Sequence, residues 1–459
     1  MKTDRLQEDA IELATLDISG LFRKYFVPTL LGMLGISAVT AVDGIFVGHG
    51  VGADGIAAIN IFVPLLMVFT GIGLMAGVGC SVVSSIHLAK GKGKVARLNV
   101  TQSFLFVSLL SVAATAVVML WPRQTALLLG ASEHLMPLVT DYMLWFMPAI
   151  LFQMWTAVGL FIIRLDGSPR IAMWCSLIEA LANIVLDYVF IFPLSWGLRG
   201  AAFATTVSVV IGGLIAIGYL LFSARNLRLI RLKMSVKSLR LSIRNIGYHC
   251  QIGSSALLGE ATMAMLMFMG NLVFMKYLGD NGVGAFGIAC YYMPFVFMVG
   301  NAIAQSAQPI ISYNFGKGCY ERVHATERIA LITAVVCGLS VTGFFVGFPR
   351  LLVGLFLDPA DAAAQIAIDG LPYFATGFIC FIINLTVVGY FQSIERVKPA
   401  TLFALLRGLI FLVPSFLLMP LVLGTPGIWL AMPASEILTS LTILCFRNRY
   451  LCRDELLKP

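Results

Sequence analysis

Charge is scarce in this chain. Only 12% of the residues are Asp, Glu, Lys or Arg, against roughly 25% in soluble domains. Hydrophobic residues make up 59%, and the mean hydropathy is +0.92. This balance excludes a soluble globular protein and indicates a polytopic membrane protein. Catalytic signatures are missing as well. No Gly-rich loop ends in Gly-Lys-Ser or Gly-Lys-Thr, so ATP is not the expected energy source. The histidines (His49, His87, His134, His249, His324) are scattered without metal-ligand spacing. The nine cysteines contain no Cys-x-x-Cys pair, and several lie inside apolar runs, where they act as small hydrophobes. No nucleophile–base motif is present, and the expectation is a protein that is not an enzyme and carries no cofactor. Met1–Leu21 is mixed in charge and lacks the short apolar core of a signal peptide, so no cleaved leader is expected.

What the chain does have is long apolar runs. Runs of about 18 residues or more span a bilayer as helices at about 1.5 Å per residue. Twelve are expected, at about 25–48, 55–87, 98–122, 136–163, 171–193, 199–222, 246–277, 283–314, 328–349, 370–393, 399–423 and 427–446. Pro64 and Pro294 mark expected bends in the two longest. The net charge of +8 is explained by position rather than by a nucleic-acid partner. When alternate connections are assigned to one side, that side holds 26 Lys and Arg, the other holds four, and Arg407 lies within a span. The positive-inside rule then places both termini in the cytoplasm. The most charged connection, Ala224–Arg244, divides the chain into two sets of six spans. The expected organisation is an N-terminal bundle over 1–222, a cytoplasmic linker over 223–245 and a C-terminal bundle over 246–459. The halves look related. Val63-Pro64 and Gly91-Lys92-Gly93 of the second span match Met293-Pro294 and Gly316-Lys317-Gly318 of the eighth, and Pro193 with Gly200 matches Pro420 with Gly427. An even number of spans per half makes these parallel repeats, related by an axis along the membrane normal. The fold class is all-α, with twelve transmembrane helices in two pseudo-symmetric six-helix bundles.

The stretch Ser176–Pro193 is apolar enough for lipid yet carries Glu179, Asn183 and Asp187 at i, i+4 and i+8, one face of a helix. A charge at membrane depth costs about 2.5–3.5 kcal/mol on insertion scales, so such a face indicates an internal polar cavity. Counting residues from the outer ends of the first, fifth and sixth spans puts Asp43, Asp187 and Thr205 at one depth, roughly 8–9 Å below the outer boundary. Asn183 is one turn deeper and Glu179 one turn below that. Two carboxylates, an amide and a hydroxyl supply oxygens for a small cation. Equally, two close carboxylates can hold a proton between them. The competing reading is that Asp187 and Thr205 only hydrogen-bond neighbouring helices together.

Several of these motifs resemble the multidrug and toxic compound extrusion (MATE) transporters. Val42-Asp43-Gly-Ile-Phe-Val-Gly48 followed by Ala57-Ala58-Ile-Asn60 is similar to the family's first-helix signature, and so is Asn183-Ile-Val-Leu-Asp187 followed by Gly200-Ala-Ala-Phe-Ala-Thr205. Arg164-Leu-Asp-Gly167-Ser-Pro169-Arg and Gln308-Pro-Ile-Ile-Ser-Tyr-Asn314-Phe-Gly316 resemble the bacterial branch near the staphylococcal multidrug exporter. The loop Ala89–Arg97 has no acid, unlike the corresponding loop of the major facilitators. The resemblance covers essentially the whole chain. It implies that Asp43, Asn183, Asp187 and Thr205 handle a coupling ion, H⁺ or Na⁺, and that the first helix bends at Pro28.

The second half breaks the symmetry, because Pro414 and Ile410 fall where Asp187 and Asn183 would repeat. It has instead Glu260 near the middle of the seventh span, beside Met263, Met265, Met267 and Met269, with Tyr291, Tyr292, Phe295, Phe297 and Met298 on the eighth. Methionines and aromatic faces suit varied apolar and cationic guests, and generic packing suits them equally. Glu179, Glu260 and Asn60 are further candidates for coupling or substrate contact. Arg407 and Glu436 are expected to pair as a buried structural salt bridge. The expected function is a secondary active antiporter of the cell (plasma or inner) membrane. It would export amphipathic, often cationic organic compounds in exchange for H⁺ or Na⁺, and it would work as a monomer in the bilayer without nucleic acid. The alternative, a lipid-intermediate flippase, calls for a basic cavity, whereas Arg407 is the one base in a span core against the acids Asp43, Glu179, Asp187 and Glu260. A membrane scaffold leaves those four acids unexplained. The topology predicts that a reporter active only in the cytoplasm works when fused after the C-terminal Pro459 and fails when inserted beside Arg350. The opposite pattern would invert the assignment.

Overall fold

The computed structural model describes Leu13 and residues 15–51, 53–232 and 235–451. The ends of the mixed-charge N-terminal stretch and of the basic C-terminal tail lie outside the described residues. Among the described residues every regular element is helical. The first half contains α1 (Ile18–Gly50), α2 (Ala53–Ala89), α3 (Gly93–Leu120), the short α4 (Pro122–Leu128), α5 (Met136–Phe146), α6 (Ile150–Leu165), α7 (Pro169–Ile191) and α8 (Gly197–Gly218). The chain continues with α9 (Val236–Lys317), α10 (Tyr320–Gly347), α11 (Pro349–Gly354), α12 (Ala362–Ala375), α13 (Phe378–Ser393), α14 (Val397–Leu405), α15 (Leu412–Leu423) and α16 (Thr425–Leu451).

Among the described residues ten helices are long and apolar enough to cross a membrane, and the pair α12 and α13, bent by 46°, makes an eleventh span. The remaining span is hidden in α9. At about 1.5 Å per residue its 82 residues would be roughly four bilayers long. The helix is broken at Gly279, whose φ of 63° and ψ of −155° are open to glycine but not to a residue with a Cβ. The two arms fold back on each other there. Phe274 stacks on Phe286 with ring centroids 4.5 Å apart, and Trp429 of α16 closes edge-on over Phe274 at 4.7 Å. Other spans are interrupted without ending. A 3₁₀ turn at Met147–Ala149, built around Pro148, joins α5 to α6. A π turn at Leu406–Ile410 joins α14 to α15. Large apolar side chains such as Leu109, Leu120 and Val422 face outward, as a lipid solvent requires, and Trp121, Trp145, Trp174 and Trp196 are about half exposed.

The described chain divides into two compact units. The first comprises the residues up to Leu257 together with Ser312–Gly318, and the second comprises Leu258–Ile311 and the residues from Cys319 onward. In the first unit α1 lies along α7, and α7 along α8. Small residues set these contacts: Gly32 faces Met173 and Ser176, and Gly35 faces Leu177. The connection after α8 is tied down by one carboxylate. Asp166, in the corner between α6 and α7, accepts hydrogen bonds from the backbone N–H groups of Arg225, Asn226 and Leu227 at 2.8, 2.7 and 3.0 Å. The Tyr219 hydroxyl adds a fourth at 2.8 Å. The Arg164–Arg170 motif therefore acts as a buried anchor for the start of the linker. The first arm of α9 then packs on α2 and α3. His249 meets Ser103 at 3.0 Å, and Gly79 and Gly253 bring the backbones of α2 and α9 together.

A Cβ on Gly79 would lie 1.9 Å from the His249 carbonyl oxygen, and one on Gly253 at 1.9 Å from that of Met75. Backbone atoms cannot move aside as a side chain can. Gly79→Leu and Gly253→Leu should each cost at least about 1–3 kcal/mol, the scale of overpacking, and lower the melting temperature in detergent. Unchanged melting in both would refute this seam.

Candidate functional site: an unsatisfied carboxyl pair in the first unit

The polar face expected on the fifth span is carried by α7. Because α1 and α7 run side by side, Asp43 reaches the level of Asp187. The two carboxyl groups are close enough to act on each other. Asp187 is fully buried. Neither of its oxygens, nor Asp43 Oδ1, receives a hydrogen bond. Two carboxylates cannot bond to each other, since neither has a donor. A proton on one of them, or a small cation between them, satisfies the pair.

Asn183, one turn deeper and also buried, donates through Nδ2 to Thr205 Oγ1 of α8 at 3.4 Å. Thr205 in turn donates to the Ala201 carbonyl at 2.9 Å. The structure therefore brings together the four residues expected to handle the ion: Asp43 with Asp187, and Asn183 with Thr205. It adds Tyr142 of α5, buried beside Thr205 and in electrostatic range of both aspartates. Its ring is held by Phe62 of α2 at 5.4 Å and by Phe146 at 6.1 Å. The sequence reading missed Tyr142, although a signal was available. It lies about six residues inside the outer end of an inward-running span, at the depth counted for Thr205. Asn60 is exposed on α2, and no hydrogen bond joins it to this cluster among the described residues. Pro28 is buried within α1, which continues as helix on both sides of it. Glu179 lies two turns below Asp187, with its Oε2 buried and without a donor.

The second unit treats its buried charge differently. Arg407 and Glu436 form an ion pair at 2.8 Å with both side chains almost fully buried. Asn384 Nδ2 donates to Glu436 Oε2 at 2.7 Å, Ser440 donates to Asn384 Oδ1 at 2.8 Å, and the guanidinium sits 4.4 Å from the centre of the Phe381 ring. The pair expected from the sequence is present, and Asn384 belongs to it. Glu260 is half-buried on the first arm of α9, and among the described residues no hydrogen bond joins it to this network. Of the methionines around it, Met263 is buried and Met265, Met267 and Met269 are half-buried, while the Tyr292 hydroxyl is used in a bond to the Leu352 carbonyl.

Comparison with known proteins fits this picture. The MatE family matches the chain twice, over residues 28–189 and 256–417. The multidrug export protein MepA of Staphylococcus aureus is 25% identical over 94% of this chain and 93% of its own length. The outward-facing structure of a multidrug resistance MATE family transporter of the MOP superfamily superposes with a TM-score of 0.88 at 22% identity, covering 98% of this chain and 99% of that one. A MOP superfamily transporter from Pyrococcus furiosus superposes with a TM-score of 0.86 at 22% identity, covering 96% and 97%.

Removing one partner of a buried ion pair strands the other. Arg407→Met should destabilise the protein by about 3–5 kcal/mol, and the double substitution with Glu436→Leu should recover most of that loss. The readout is thermal unfolding in detergent. A double variant that is less stable than Arg407→Met alone would contradict the assignment of a structural pair.

Proposed function

Since the chain belongs to the MatE family, a family of membrane transporters and not of enzymes, we propose that it is a multidrug efflux antiporter driven by H⁺ or Na⁺. The observation that carries this reading is the Asp43–Asp187 pair: a half-buried and a fully buried carboxyl group side by side, with three buried oxygens that lack any donor. Such a pair is unstable when both groups are ionised and stable once one monovalent cation joins it, so its occupancy follows the cation gradient. Asn183, Thr205 and Tyr142 orient the surroundings and offer further oxygens. The name of the MepA relative, a multidrug export protein, supports export of more than one drug. Amphipathic, often cationic compounds are the substrate class that suits the acid-rich spans.

In this account the outward-open protein takes the cation at the pair and releases drug. The cation then leaves to the cytoplasm as the next drug molecule binds, and access alternates between the two sides. The cation is cargo, and no resident cofactor is needed. The protein works in the plasma or inner membrane with both termini in the cytoplasm, as a monomer.

The test is efflux of an ethidium-like dye from vesicles under separately imposed pH and Na⁺ gradients, for wild type and Asp187→Asn. Wild type should respond to at least one gradient, and Asp187→Asn should fall to the level of empty vesicles under that gradient. Dye movement indifferent to both gradients would overturn the antiporter reading. A fully active Asp187→Asn would remove the pair from coupling.

A further inference from the structure

We propose that Glu179 is a proton-binding relay on the cytoplasmic side of the aspartate pair, a role that rests on the cation-coupled reading above. Asp187, Asn183 and Glu179 follow one another down a single face of α7, so Glu179 lies about 12 Å below Asp187 toward the cytoplasmic end. Its Oε2 is buried and has no donor. A carboxylate in that position is costly unless something neutralises it.

Space for the group is made by Gly212 of α8. A Cβ at that position would come within 1.9 Å of Glu179 Oε2 and 2.7 Å of Cδ. One turn below, the Cys175 thiol donates to the Gly212 carbonyl at 3.3 Å. The missing side chain of Gly212 leaves room for the carboxyl group of Glu179.

The surroundings select a proton over a metal cation. Hard metal ions take roughly six to eight oxygens. The hydroxyls nearest in register, Ser176 of α7 and Ser208 of α8, donate to the carbonyls of Ala172 and Thr205 at 3.3 and 2.9 Å. Next come Ser37 of α1, between the Gly35–Leu177 and Asp43–Asp187 contacts, and Thr156 of α6, between Phe152 and Gly159, which pack on Gly213 and Ala216 of α8. Both hydroxyls are buried and neither reaches a hydrogen-bond partner, Glu179 included. No cage of oxygens forms around Oε2, and a proton needs only the carboxylate itself. Other titratable groups are few. On α1 only Tyr25, at its cytoplasmic end, occurs between Lys24 and Asp43, and on α8 none follows Arg199. Cys175 is the neighbour on α7 itself, with Arg164 of α6 in electrostatic range of that thiol.

The second repeat supplies the contrast. The two family matches are offset by 228 residues at either end, one more than the sequence count that set Pro414 against Asp187, and at that offset Arg407 takes the place of Glu179. There the buried acid, Glu436, is neutralised permanently by that guanidinium. The first repeat has an acid at the same place, and among the described residues no cationic side chain is bonded to its Oε2, so a mobile cation must serve. In the transfer, the proton leaves the carboxyl group of Asp187, crosses by way of water and arrives on the Glu179 carboxylate. The pair gains one negative charge and Glu179 loses one. Release from Glu179 then completes the passage to the cytoplasm.

Two readouts on the isosteric variant Glu179→Gln test this. The first counts protons taken up by purified protein in weakly buffered detergent solution between alkaline and acidic pH. The second is dye efflux driven by a pH gradient, with equilibrium dye binding as a control. The expected result is one proton fewer than wild type, efflux slowed by about 10²-fold, the scale of losing a positioned proton-transfer group, and unchanged dye binding. Glu179→Ala should show the same proton deficit. An unchanged proton count overturns the proposal even if efflux slows, because that pattern marks a structural role. A lost proton with unchanged efflux overturns the relay. Should wild type prove indifferent to both gradients, the antiporter reading fails while the proton count still decides whether Glu179 binds a proton.

Discussion

Hydrocarbon does not solvate charge, and this single constraint shapes the whole chain. Every buried ionisable group must be paired inside the protein or neutralised by something that comes and goes. Arg407 and Glu436 satisfy each other, with Asn384 and Ser440 using up the remaining capacity. Asp43 and Asp187 do the opposite: they place two acids together and supply no internal donor. The first arrangement is stable in one state. The second becomes stable only when a cation joins it, which is what a coupling site needs.

The same constraint explains which parts of the fold were legible in the sequence. A bilayer fixes span length, so apolar runs and the side bias of Lys and Arg disclose the spans, and depth counting placed Asp43, Asp187 and Thr205 together before any coordinates. The repeat was visible because Pro and Gly recur where spans must bend or end. Facing was harder. A residue's depth follows from counting along the chain, but its direction around the helix depends on which neighbour packs there. That is why Tyr142 was missed although its depth was right, and why Asn60 is exposed with no bond to the cluster. The fusion of the seventh and eighth spans into one helix broken at Gly279 was also invisible, since a glycine between two apolar runs reads as a loop.

The Asp166 anchor adds a different lesson. A short, locally unremarkable Leu-Asp-Gly-Ser corner binds three successive amides of the linker some sixty residues away. A stretch that composition marks as a charged connection is, at its start, fixed backbone. The polar ladder of α7 is thus held from both ends: α1 packs along its length, and the corner before it is tied to the chain leaving α8. A site that must change charge without losing shape benefits from such support.

The central claim is that Asp43 and Asp187 behave as one cation site and not as two independent acids. The most direct measurement is infrared difference spectroscopy of purified protein moved between alkaline and acidic solution, with and without Na⁺, for wild type, Asp43→Asn and Asp187→Asn. The account predicts a carboxyl signal in wild type that changes on cation uptake and disappears from both single variants, because either substitution dissolves the pair. Two separate signals, each lost only with its own residue, would contradict it.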